Sequence, residues 1–221
     1  MKRLFQVGLL LFLLNVTTSC NGQSNNNAKD PSQTDLQQPV GGSCESCEIM
    51  YVGMPKNINS VDTSSAWTEK GQKLLLTGTV YKIDDKTPAP NVIIYYWQTD
   101  NEGHYSPKSG MPEKAKRHGH IRGWVKTDKN GKYSIYTIRP SSYPNSDIPA
   151  HIHTLVKEPN LANEYYIDEF VFDDDKLLTA AKRKTQENRG GSGILKVSTK
   201  NGLQIAEHNI ILGLNIPNYP R

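Results

Sequence analysis

The chain has 221 residues, with 26 lysines and arginines against 22 acidic residues and a formal charge of +4. Without Lys2 and Arg3, which belong to an expected leader, the balance is 24 to 22, which argues neither for nucleic acid nor for an acidic partner. Roughly 200 further residues suffice for one well-buried domain and a tether, and none of their segments is apolar over the length of a membrane-spanning helix.

The first element is a signal peptide over residues 1–19. Lys2 and Arg3 are followed by an apolar run from Leu4 to Val16, then by the small residues Thr17, Thr18 and Ser19. Cys20 follows them directly, as in a lipobox, although Thr17 stands where an aliphatic residue is usual. The expectation is a lipid on Cys20 and an exported protein, anchored to a bacterial membrane on its periplasmic or outer face without spanning it. Residues 20–43 are rich in Asn, Gln, Ser, Asp and Gly and read as a flexible tether with a reach of roughly 25–30 Å. Cys44 and Cys47 open an N-terminal segment over 44–72. A lone C-x-x-C reads as a disulfide, half a zinc site or a redox motif; no second pair completes a zinc site, and outside the cytoplasm a structural disulfide is the default.

From residue 73 to 221 the chain breaks into short β-rich runs. They lie at 74–81, 92–97, 121–127, 132–138, 151–157, 165–172, 194–198 and 203–212. The pair Asn130-Gly131 between two of them predicts a hairpin, and residues 176–187 allow one short helix. About eight strands without alternating helices predict an all-β fold. It would be an antiparallel β-sandwich with long loops and at most one or two short helices.

Chemistry concentrates at Pro149-Ala-His151-Ile-His153. Histidines at i and i+2 of a strand project from one face about 6–7 Å apart, so both can reach one metal, and zinc, iron and copper all accept imidazole. Three further stretches precede it: Trp97-Gln-x-Asp100-x-x-Gly103-x-Tyr105, Arg122-Gly-x-x-x-Thr127-Asp128-x-x-Gly131-x-Tyr133, and Thr137-Ile-x-Pro140-x-x-Tyr143-Pro144. Taken in this order, from about Leu74 to Leu178, the set resembles the intradiol ring-cleavage dioxygenases, in an exported, lipoprotein-type form.

That resemblance implies non-haem Fe(III) held by Tyr105, Tyr143, His151 and His153. It implies a catechol substrate that yields its protons to solvent hydroxide and to a departing Tyr143. O2 then opens the ring between the two hydroxylated carbons, giving a muconate-type diacid. Tyr81, Tyr95, Tyr96, Tyr133, Tyr136, Tyr165 and Tyr166 read as ordinary strand tyrosines, half-buried with the hydroxyl at the surface. The sequence departs from the family at Ile148, where an arginine is usual; Arg122 and Arg139 are the candidates to replace its charge. Tyr143 and His151 are only eight positions apart, which implies an open pocket and a bulkier or polymeric catechol. His118 and His120 read as a solvated loop, and the acidic residues from Asp168 to Asp175 as a solvated turn. Two alternatives share these residues. One is a metal-free, transthyretin-like binding module, suggested by the runs at Leu76–Val80 and Thr127–Tyr133; the other is an iron or catechol binder without turnover.

Overall fold

The computed structural model describes residues 38–221. The signal peptide, Cys20 and the tether up to residue 37 lie outside the described residues. The strands in chain order are β1 (Val61–Thr63), β2 (Lys73–Tyr81), β3 (Ile93–Gln98), β4 (Arg122–Lys126), β5 (Lys132–Ile138) and β6 (His151–Lys157). They continue with β7 (Tyr165–Tyr166), β8 (Phe170–Phe172), β9 (Ile194–Leu195), β10 (Val197–Lys200), β11 (Leu203–Glu207) and β12 (Ile210–Ile211). One sheet runs β1-β5-β2-β11-β10 with β12 also beside β2; the other runs β4-β3-β6-β8-β9 with β7 also beside β6.

The two sheets form a sandwich, and the main core lies between them. Leu74, Leu76, Val80, Tyr133 and Ile135 of the first sheet meet Ile94, Tyr96, Ile152, Val156, Phe170 and Phe172 of the second. The sheets are mixed where antiparallel ones were expected: β1–β5, β2–β11, β2–β12 and β8–β9 pair in parallel. Each parallel pair joins segments separated by long stretches of chain, so no hairpin dictates direction.

The run at 203–212 is one strand by pattern and two in the structure. It is broken at His208 and Asn209, where His208 N–H donates to Thr77 O (2.8 Å) and the Asn209 side-chain oxygen accepts from Thr79 N–H (2.9 Å). This bulge leaves no room on Gly78, where a β-carbon would come within 1.7 Å of the His208 carbonyl oxygen. Gly78→Ala is therefore expected to destabilise the protein by about 3 kcal/mol, measured as a lower urea midpoint with an unchanged slope.

The expected hairpin at Asn130-Gly131 is a turn of another kind. Gly131 has φ +71 while Asn130 is not left-handed, and Gly131 N–H donates to Asp128 O (2.9 Å). The turn carries the chain from β4 in one sheet to β5 in the other, because β5 pairs with β2 and β1. Sequence signals a reversal there but not the partner of the returning strand.

Residues 39–72 are less separate than composition suggests. Val40 packs on the main core and Gly41 N–H donates to Pro217 O (2.8 Å), so the tether as drawn to residue 43 ends earlier. Cys44 and Cys47 are joined as a disulfide, with Cα atoms 5.6 Å apart. Cys47 and Met50 cover Tyr95, Trp97 and Leu155 on the outer face of the second sheet. Strand β3 is consequently buried on both faces, which explains why Ile93–Trp97 reads as an unbroken apolar run rather than an alternating one. Helix is scarce among the described residues: two 3-10 turns at Cys47–Tyr51 and Glu113–His118, and α1 (Ala180–Lys184), where the Thr179 hydroxyl accepts from Lys182 N–H (3.3 Å).

Candidate metal centre

Strand β6 supplies the two histidines. Ile152 points into the main core, which turns His151 and His153 to the outer face of the second sheet. Strand β3 lies beside them with Trp97 opposite His153, and the two rings stack with centroids 4.6 Å apart.

The tyrosines come from two loops laced together. After β3, the Asp100 carboxylate accepts from Glu102 N–H (2.9 Å), His104 N–H (3.0 Å) and the Ser106 hydroxyl (2.6 Å), forming the turn that ends at Tyr105. Gly103, at φ +85, lies where a β-carbon would strike the Ser142 carbonyl oxygen at 2.1 Å. Ser141 N–H donates to Asp100 O (3.1 Å), its hydroxyl to Asn101 O (2.8 Å), and the Thr99 hydroxyl to Ser141 O (2.7 Å). The glycine and aspartate of the first motif thus bring the Tyr105 loop against the Tyr143 loop.

The four side chains meet in a closed ring. Tyr105 Oη lies 2.7 Å from Tyr143 Oη and 2.7 Å from His153 Nε2; Tyr143 Oη lies 2.9 Å from His151 Nε2; and the two Nε2 atoms are 3.2 Å apart. Outer partners orient both imidazoles. His151 Nδ1–H donates to Pro149 O (2.8 Å), and His153 Nδ1 is 2.7 Å from Glu169 Oε1. With both Nδ1 atoms as donors, each Nε2 presents a lone pair inward.

The ring does not balance in protons. Two phenol protons serve the two imidazoles, which leaves the oxygen–oxygen contact and the nitrogen–nitrogen contact with none. Lone pairs facing each other at such distances are relieved by a cation at the centre. Phenol oxygens and imidazole nitrogens together form a donor set suited to iron. Burial raises the pKa of both tyrosines above the usual phenol value and lowers that of His151. A bound cation would therefore have to displace the phenol protons against that burial.

Glu169 is the site residue that sequence reasoning passed over, as part of a solvated acidic turn. The β6–β8 register, His151 with Val171 and Ile152 with Phe170, continues to place Glu169 opposite His153. His151, His153 and Glu169 offer donor atoms within 4.8 Å of one another. The contact to Nδ1 puts the carboxylate on the outer edge of the His153 ring, away from Nε2. Burial disfavours its charge, but His153 outweighs that and holds its pKa below the usual carboxylate value. Two further acids of the run are also engaged. Asp174 pairs bidentately with Arg139 (2.6 and 2.9 Å), and Asp175 accepts from Ala150 N–H (2.8 Å), tying down the residue before His151.

Neither arginine named from the sequence stands at the ring. The Arg122 guanidinium lies over Trp124 (4.8 Å) and Tyr95 (5.3 Å) and donates to the carbonyls of Ile49 and Val52. On its strand it is opposite Trp97, so the indole separates it from His153. Its role is to clamp the N-terminal segment onto the sheet. Arg139 is held by Asp174 over the Phe172 ring (4.2 Å).

The second histidine pair is not a solvated loop. His118 is buried, stacks on Trp97 (4.1 Å) and meets Tyr95 Oη at 2.8 Å through Nδ1; His120 reaches Glu69 at 3.0 Å. Tyr95, Tyr96, Tyr133 and Tyr165 are likewise fully buried, their hydroxyls held by His118, Asp62, His208 O and Glu158. Composition cannot reveal partners that come from distant segments. Burial, with Arg122 and His153 nearby, pushes His118 down to about 3 from 6.5. A folded pKa below the unfolded one stabilises the protein above the unfolded value and is lost as pH falls. Melting temperature is expected to drop between pH 6.5 and 3, and His118→Gln to flatten that slope.

The sequence and the fold are both similar to those of known proteins. The family model Dioxygenase_C, described as Dioxygenase, matches residues 50–204. The chain belongs to the intradiol dioxygenase family. It is 29% identical over 124 residues to catechol 1,2-dioxygenase of Acinetobacter baylyi, covering 48% of this chain and 39% of that one. It is 26% identical over 159 residues to catechol 1,2-dioxygenase 2 of Acinetobacter lwoffii, covering 60% and 56%. The match therefore spans about half the length of these relatives. Among solved structures, the dioxygenase domain of a dioxygenase–carbohydrate-binding protein fusion from Streptomyces sp. SirexAA-E aligns over 72% of this chain and 91% of its own. Its TM-score is 0.54 at 19% identity, a likeness of fold. The family uses non-haem iron, which fits the ring of phenols and imidazoles.

Proposed function

We propose that this chain is an exported intradiol dioxygenase that cleaves a catechol-type ring with O2, using Fe(III) held by Tyr105, Tyr143, His151 and His153. The observation that carries this reading is the closed ring of four donor atoms, spaced at 2.7–3.2 Å and short of protons. Bound Fe(III) supplies Lewis acidity and a template for the catechol oxygens. The chain's own residues do the rest. Pro149 O and Glu169 keep the Nε2 lone pairs directed inward, and Trp97 holds the His153 ring by stacking. Tyr143 is carried by the irregular segment between β5 and β6 and is half-buried, and on this reading it is the phenol that would give way to the substrate. Its Oη would then be the atom that takes up one catechol proton. A lipid on Cys20 and export to the periplasmic or outer face belong to the same proposal and rest on the leader sequence.

A second reading keeps the metal and drops the turnover. Ile148, where family members carry an arginine, is 44% exposed, and Arg122 and Arg139 are engaged elsewhere. On that reading the site sequesters a catechol. Both are tested on protein reconstituted with ferric iron. A visible phenolate-to-iron band that shifts on adding catechol, with O2 consumption, supports the dioxygenase. A shifting band without O2 consumption supports sequestration, and a colourless protein sinks both.

A further inference from the structure

The ring of donors has a neighbouring cavity of roughly 460 Å³, lined by Tyr166, Asp168, Glu169, Val171, Glu187 and Arg189 among others. Two of these residues connect it to the ring. Val171 is the cross-strand partner of His151, and Glu169 is the outer partner of His153 at 2.7 Å. Tyr166 and Val171 contribute to its wall beside the charged residues.

Its charge is one-sided. Arg189 is neutralised by an ion pair with Glu187, and Asp168 adds an acid held by the backbone N–H groups of Asn188 and Arg189 (2.9 and 3.0 Å). Among the described residues, no lysine or arginine pairs with Glu169. A negative group entering this space approaches the Glu169 carboxylate, which repels it, and that repulsion is weakened by solvent because the side chain is half-exposed.

From the contact of Glu169 with His153 and its place in the cavity wall, we infer that Glu169 sets the substrate class. The site takes catechols that are neutral or carry an amine, and rejects those that carry a carboxylate. This rests on the metal reading proposed above and deepens it. A carboxyl-bearing catechol would bring its charge against Glu169, while the one arginine in the wall, Arg189, is already paired with Glu187. An ammonium group would gain from the same carboxylate.

The test is a binding titration on the iron-reconstituted full chain, kept anaerobic so that no turnover is needed, read from the shift of the visible charge-transfer band. The probes are catechol, 3,4-dihydroxybenzylamine and 3,4-dihydroxybenzoate. The benzoate is expected to bind on the order of tenfold or more weakly than catechol, and the amine at least as tightly as catechol. In Glu169→Gln, which keeps the shape and a hydrogen-bond acceptor for His153, the gap between benzoate and amine should shrink about tenfold. Equal affinities for the three probes, or tightest binding of the benzoate, would overturn the inference while leaving the metal site standing. So would a gap in Glu169→Gln as wide as in the parent. Absence of the band in the parent protein would instead remove the metal reading, and this inference with it. The ranking in the parent decides the matter even if Glu169→Gln fails to fold.

Discussion

His153→Ala is expected to abolish stable iron loading while the sandwich stays folded. The imidazole is one of four donors in a ring with no spare member, and its loss also strands Glu169 and uncovers one face of Trp97. Outer partners of metal ligands are commonly worth about 10–100-fold in affinity, so a direct donor should exceed that range. After reconstitution and desalting, iron content should fall to background and the visible band should be absent. The far-UV circular dichroism should be retained, since His153 lies on the outer face and not in the core between the sheets. Full iron occupancy in this variant would refute the four-donor reading.

Phe170→Ala is expected to be the most damaging of the fold variants. Phe170 is fully buried in the core shared by the two sheets, with its ring centroid 4.5 Å from that of His208. Truncating a buried phenylalanine costs about 3–5 kcal/mol through lost burial and the cavity left behind. For a chain of this size that corresponds to a fall in melting temperature of roughly 10 °C. Phe170 also separates Glu169 from Val171, so loosening it should disturb the wall beside the histidines. A calorimetric scan decides it; an unchanged melting temperature would place Phe170 outside the cooperative core.

Much of the centre was legible because its residues sit in contiguous motifs. The alternation in His151-Ile152-His153 puts the outer imidazoles and the inner apolar side chain on opposite faces by the period of a strand alone. Gly103 and Asp100 mark the turn to Tyr105 because few other residues tolerate positive φ or cap successive N–H groups. Arg122 was misplaced for the opposite reason. Its sequence neighbourhood looks like a site motif, but the cation finds Trp124, Tyr95 and two carbonyls of a segment about 70 residues earlier. Glu169 was missed because its partner is 16 residues away, across a strand pair whose register no local pattern specifies.

By itself the sequence determined the all-β class, the positions of the main strands and the facing of His151 and His153, since these follow from local periodicity and turn chemistry; Tyr105 and Tyr143 were singled out only by the resemblance of their motifs to the dioxygenase family. Tertiary structure decided the rest. It set which strands pair in parallel and which sheet each joins, because long connections leave direction free. It placed Cys44–Tyr51 as the cover of the outer face, buried His118 beneath Trp97, and gave the acid at His153 a purpose. Each of those is a contact between segments far apart in the chain, stabilised by burial that only the packed sandwich supplies.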